Sequence, residues 1–185
     1  MTRIPLAAIL AAFATAALAQ QPFATVKPGT DAWWLRTNFN PMHTEVRGIP
    51  VAKIRRTWCK ATEFTRALMP KKEMDEDKSG QMMDEVGLAF SFTGNFDRSK
   101  TKQVALVGVY QECAGKKGSF LLIIDEGTQN VRFLDVTPTA TQFSILSVHE
   151  NDIVHASCME CDGGGVLRWN AKRKAFRWVP QRGHD

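Results

Sequence analysis

Residues 103–125 read "QVALVGVYQECAGKKGSFLLIID". Two apolar runs of strand length, QVALVGVY and SFLLIID, flank the turn cluster AGKKG. Neither run alternates with polar residues, so neither has a face to give to water. Continuous apolar runs bounded by turn signals predict interior strands covered on both sides. The connection between them is too short for a parallel crossover, so the pair is antiparallel.

Working outward, the same grammar continues in both directions. Val86, Leu88, Phe90 and Phe92 alternate with small or polar residues, which is the period of a strand with one buried face. NVRFLDV, QFSILSV and DIVHASC follow as further strands, separated by the turn clusters GNFDRSK, EGTQN, TPTAT and HEND. The last hairpin, "VLRWNAKRKAFRWV" (166–179), has a register that can be read directly. A four-residue loop at Ala171–Lys174 sets Trp169 opposite Phe176 and Leu167 opposite Trp178, all on one face. The reading is a mainly β protein: an antiparallel meander of about eight strands over residues 86–180, blade-like or closing as a sandwich or barrel.

Upstream the period changes. Val51, Ile54, Trp58, Ala61, Phe64 or Thr65, and Leu68 recur at steps of three and four between Pro50 and Pro70. This predicts one amphipathic helix over about 51–69. Residues 70–85, "PKKEMDEDKSGQMMDE", are charged and Gly-containing and read as a polar connection. Trp33, Trp34 and Phe39 indicate that the segment before the helix packs against the body.

The chain begins MTRIPLAAILAAFATAALAQQ. Arg3, an apolar alanine-rich run and Ala17-Leu18-Ala19 have the form of a secretory signal peptide over residues 1–19. Residues 20–185 are then one domain, periplasmic or secreted, with no transmembrane segment once the leader is cleaved. An even count of four cysteines in such a compartment predicts disulfides at Cys59, Cys113, Cys158 and Cys161. Four cysteines allow three pairings. A local Cys158–Cys161 bridge leaves Cys59–Cys113, which closes a long loop and constrains the unfolded chain strongly.

"FSFTGNFDRSKTKQVALVGVY" (90–110) resembles the loop and following strand of an FG-GAP or VCBS repeat, the unit of many extracellular β-propeller blades. Gly94, Asn95, Asp97, Ser99 and Gln103 stand at the positions of the Asp-rich calcium loop, followed by Val104-Ala105-Leu106-Val107. The resemblance implies a β-meander module and a binding role, and no enzyme. Only Asp97 is a carboxylate, so the loop shape is expected without calcium.

The remaining chemistry-bearing residues are few. His155, Cys158 and Cys161 are the right types for a metal knuckle or a thiol-redox pair, which gives an alternative reading as a periplasmic metal-binding or thiol-redox protein. A redox pair needs a helix amino terminus after it to lower a thiol pKa, and here Asp-Gly-Gly-Gly and a strand follow. No nucleophile–base set or spaced carboxylate pair marks an enzyme, and no cofactor is indicated. The net charge of +5 is uneven. Positive side chains gather in 47–72 and in the tail, so Arg55, Arg56, Lys60, Lys172, Arg173, Lys174 and Arg177 are the candidate binding residues. An exported basic surface meets an acidic protein or an anionic envelope polymer rather than nucleic acid. The expected function is non-enzymatic binding of a macromolecular partner in the cell envelope, of the assembly-factor, inhibitor or immunity type.

Overall fold

The computed structural model describes residues 22–139, 142–160 and 164–179. The leader expected at 1–19, Cys161 and the last six residues of the tail lie outside them. Strands β1 (Ala24–Val26) and β2 (Thr37–Phe39) pair around the one-turn helix α1 (Trp33–Arg36). A second small hairpin joins β3 (Glu45–Val46) to β4 (Ile49–Pro50). Then come the single turn α2 (Val51–Ile54), strand β5 (Trp58–Glu63), a 3-10 turn at Arg66–Leu68, and helices α3 (Lys71–Glu76) and α4 (Ser79–Glu85). The remainder is β6 (Ser91–Gly94), β7 (Gln103–Glu112), β8 (Lys117–Asp125), β9 (Val131–Thr137), β10 (Ile145–His149), β11 (Asp152–Ala156), β12 (Gly164–Asn170) and β13 (Ala175–Val179). Strands β6 to β13 form the expected antiparallel succession.

They divide into two sheets. In the central one the order is β5-β7-β8-β9, with β5 and β6 lying end to end along one edge of β7. The other is the meander β10-β11-β12-β13. Alternate residues of β7 and β8 explain the unbroken apolar runs. Ala105, Val107, Val109, Leu121 and Ile123 face a main core shared with Ile145, Ile153, Leu167 and Phe176 of the second sheet. Val104, Leu106, Tyr110, Phe120, Leu122 and Ile124 face a second core, covered by Val46, Ile49, Val51, Ile54, Trp58 and Ala61. A strand buried on both faces has no use for alternation. The terminal hairpin has the predicted register, with Leu167 opposite Trp178 and Trp169 opposite Phe176.

The second core depends on two glycines. A Cβ on Gly108 would stand 2.3 Å from the Thr62 carbonyl oxygen and 2.8 Å from the Phe120 ring. One on Gly118 would stand 2.5 Å from the Thr137 carbonyl and 2.8 Å from the Tyr110 ring. Gly108 pairs with Phe120 and Gly118 with Tyr110, so each glycine makes room for the ring opposite. Trp58 closes over both rings, stacked on Tyr110 at 4.6 Å and tilted against Phe120 at 5.3 Å.

The helix expected over 51–69 does not form. α2 stops after one turn, where Arg55 turns extended with φ −151°, and the chain continues as β5 against β7. Trp58 pairs with Glu112 and Lys60 with Gln111, which leaves Cys59 as the extra residue of a β-bulge. The bulge lets Trp58 and Ala61, three residues apart, point to the same side. Val51, Ile54, Trp58 and Ala61 do share one core, as helical spacing requires, but by a turn and a bulged strand. Phe64 and Leu68 turn to the main core instead. The connection expected at 70–85 is also more ordered than its polarity implies. It folds as α3 and α4, which bury Met74 and Met83 in the main core. Ser79 of α4 accepts a hydrogen bond from Trp33 Nε1 at 3.0 Å, and this fixes α4 against α1.

Candidate functional site

Cys59 and Cys113 are bonded, with Cα atoms 4.9 Å apart. Both are exposed, and the bridge clamps the bulge of β5 to the end of β7. The pairing preferred from the sequence is the one formed. Cys158 is buried and disulfide-bonded. A sulfur in a disulfide is not a thiolate, so Cys158 does not offer the ligand a metal site with His155 and Cys161 would need. Among the described residues no group of three His, Cys, Asp or Glu side chains is placed to hold a metal ion.

The loop between β6 and β7 turns its one carboxylate inward. Asp97 is buried, accepts hydrogen bonds from the Ser99 backbone at 2.9 Å and from Gln103 Nε2 at 3.0 Å, and pairs with Arg132 at 2.9 Å. Arg132 also reaches Asp125 at 3.1 Å and lies over the Trp169 ring at 5.6 Å. A guanidinium from β9 therefore supplies the positive charge at this loop, and through Trp169 it ties the central sheet to the second one. Burial pushes the Asp97 carboxyl up, but the bonds from Ser99, the Arg132 charge and the Gln103 amide outweigh it and hold the carboxyl below its ordinary value.

His155 lies on β11, paired with Gly165 of β12. Its ring is 6.0 Å from that of Trp178, which is packed over Gly165 and donates from Nε1 to Asp135 at 3.1 Å. Burial lowers the His155 pKa, and the nearby Asp135 charge only partly opposes it. The sign for stability follows. Below about pH 6.5 the unfolded chain takes a proton on this histidine while the folded protein resists it, so stability falls as pH drops through that point. Asp97 and Asp152, the latter lowered chiefly by its hydrogen bonds from Arg168, lose their contribution later, as pH falls through the acid range. The melting temperature is expected to decline in two steps on acidification, and His155→Gln is expected to remove the first alone. Thermal scans from about pH 7.5 to pH 3 check this; a wild-type profile with no loss before the carboxylate range would contradict it.

The candidate binding residues do not form one surface. Arg55, half-buried, and Arg56 and Lys60, exposed, belong to the α2–β5 segment. Lys172, Arg173, Lys174 and Arg177 are all exposed on the β12–β13 hairpin, in the other sheet. Lys117 joins Lys60 through the pairing of β5, β7 and β8, while Asn40 and His43 reach them from the segment after β2, by the His43–Ala61 bridge and the Lys117–Asn40 hydrogen bond. Trp33 and Trp34 are buried in the main core and offer no exposed aromatic anchor.

Comparison with protein families, with curated proteins and with solved structures finds no match for this chain. Function therefore rests on the surface itself. On the hairpin, Arg168 is neutralised by Asp152 at 2.5 Å. Among the described residues Lys172, Arg173, Lys174 and Arg177 have no carboxylate partner. Residues 166–179 contain no acid at all.

Proposed function

We propose that this chain is an exported, non-enzymatic binding protein that holds an acidic macromolecular partner in the cell envelope through its terminal hairpin. The observation that carries this reading is the hairpin's four exposed cations, none with a carboxylate partner among the described residues. The Asn170 side chain orders the tip by accepting from the Arg173 backbone at 3.0 Å, so the charges are presented on a defined loop rather than a loose tail. The signal-like residues 1–19 and the Cys59–Cys113 bridge support export.

Exposed cations steer association and make it salt-sensitive. The test is reversal of Lys172, Arg173 and Lys174 to glutamate. The expected result is a slower association with the partner isolated from envelope extract, a flatter dependence on salt, and an unchanged melting temperature. Binding that ignores both salt and the reversal would exclude the hairpin as the contact surface.

A further inference from the structure

A second cationic feature lies on the central sheet, away from the hairpin. Lys60 of β5 and Lys117 of β8 both pair with Gln111 of β7. Directly paired residues share a face. Gln111 follows Val109 by two, so this row lies on the main-core side, just past the point where the core ends. The two lysine Cα atoms are about 10 Å apart, two strand spacings. Their four-carbon stems allow both ammonium groups to reach over Gln111. Lys60 faces this way because the bulge at Cys59, clamped by the disulfide, sets its register.

The segment from Asn40 to His43 forms the other wall of a groove of about 470 Å³. This wall is held in place along its length. Asn40 N donates to Phe23 O at 2.7 Å, Met42 N to Thr62 Oγ1 at 2.8 Å, and Ala61 N to His43 O at 2.8 Å. Lys117 is half-buried, and its ammonium is aimed by a hydrogen bond to Asn40 Oδ1 at 2.9 Å. Among the described residues no carboxylate lines the groove. Neither lysine has an acidic partner among the described residues. Two like charges on one row, one of them half-buried against a neutral amide, favour an anion between them.

We propose that this groove binds a phosphate monoester carried on a small polar body. A phosphate monoester brings a charge of about −1.5 to −2, which matches two ammonium groups, whereas a carboxylate would leave one unpaired. Lysine is a point-charge donor suited to phosphate oxygens. The Asn40 and Gln111 amides and the His43 ring supply neutral hydrogen-bonding groups around the two charges. The groove has more room than inorganic phosphate alone would fill. This site is separate from the hairpin and stands or falls independently of the function proposed there.

The probes are glycerol 3-phosphate, inorganic phosphate, and vesicles containing phosphatidic acid, against glycerol, acetate and sodium chloride at matched ionic strength. Glycerol 3-phosphate is expected to raise the melting temperature saturably, by about 3–5 °C at tenfold excess over its Kd, and to move the His43 ring resonances. Lys60→Met and Lys117→Met are each expected to weaken binding by about tenfold, the loss of one charged hydrogen bond. Lys60 is exposed, so its variant tests the site without a folding defect. Reversal of the hairpin lysines should leave the response intact. Binding of the vesicles without binding of the free esters would assign the phosphate to a lipid headgroup. An equal response to acetate or sodium chloride, or one that survives the double lysine variant, would overturn the proposal, as would the absence of any response to all three phosphate probes.

Discussion

Replacing Cys59 and Cys113 together by serine is expected to lower the stability of this protein by about 4 kcal/mol. The bridge spans 54 residues, and the loop-closure entropy returned to the unfolded chain on opening a loop of that length is of this size. For a chain of this length that is a fall in melting temperature of roughly 8–16 °C. Two further effects act in the same direction. The bulge at Cys59 loses its clamp, and Trp58, the residue just before it, loses the constraint that keeps it over Tyr110 and Phe120. Urea titration of the double variant measures the effect. Both residues are exposed whereas Cys158 is buried, so reductant too mild to open the Cys158 bond should make the wild-type curve match the variant's. A midpoint that moves in neither experiment would show that the bridge contributes nothing to stability.

Trp58→Ala is expected to cost about 3–5 kcal/mol. The indole is fully buried and packs on the Tyr110 and Phe120 rings, which themselves occupy the space at Gly118 and Gly108. Its Nε1 has no hydrogen-bond partner among the described residues, so packing rather than polar contact holds it. Leu68→Ala is the informative comparison. A helix over 51–69 would put both residues on one buried stripe, whereas here Leu68 is only half-buried at the margin of the main core. Its truncation should cost less than half as much as that of Trp58. Equal losses would favour the helix over the bulged strand.

Those two residues mark where the sequence is a good guide and where it is not. Local pairing was legible. The register of 166–179 follows from a four-residue loop and the aromatic residues that face each other across it, because a hairpin is specified by neighbours in sequence. The interior strands at 103–125 were legible because burial on both faces removes the alternation. The Cys59–Cys113 pairing followed once the close Cys158–Cys161 spacing was set aside as a local pair. The helix at 51–69 was misread because a one-turn helix followed by a bulged strand reproduces steps of three and four. A bulge adds one residue to a period of two, and nothing in residue type alone marks Cys59 as that residue. The polar composition of 70–85 concealed two short helices for a related reason: each buries a single apolar side chain, Met74 or Met83, and α4 adds only the polar Ser79. Asp97 is legible as the loop's single carboxylate, but its partner Arg132 is 35 residues away, and it takes the pairing of β7 with β8 and of β8 with β9 to bring them together. The groove between Lys60 and Lys117 was invisible for the same reason. Its residues come from three strands and a connecting segment, and no motif joins them.

The contact between β9 and β13 has a consequence for the protein at high concentration. Each is the last strand of its sheet, and each therefore carries a row of backbone donors and acceptors on its outer side. Such rows invite strands from other molecules. Here the two borders lie against each other, with Phe133 wedged beside Phe176 and Trp178, and with Trp178 fastened to Asp135. These ring contacts and the one hydrogen bond hold the two borders together. Loosening the seam at Trp178 is therefore expected to free both margins at once and to promote self-association as concentration rises.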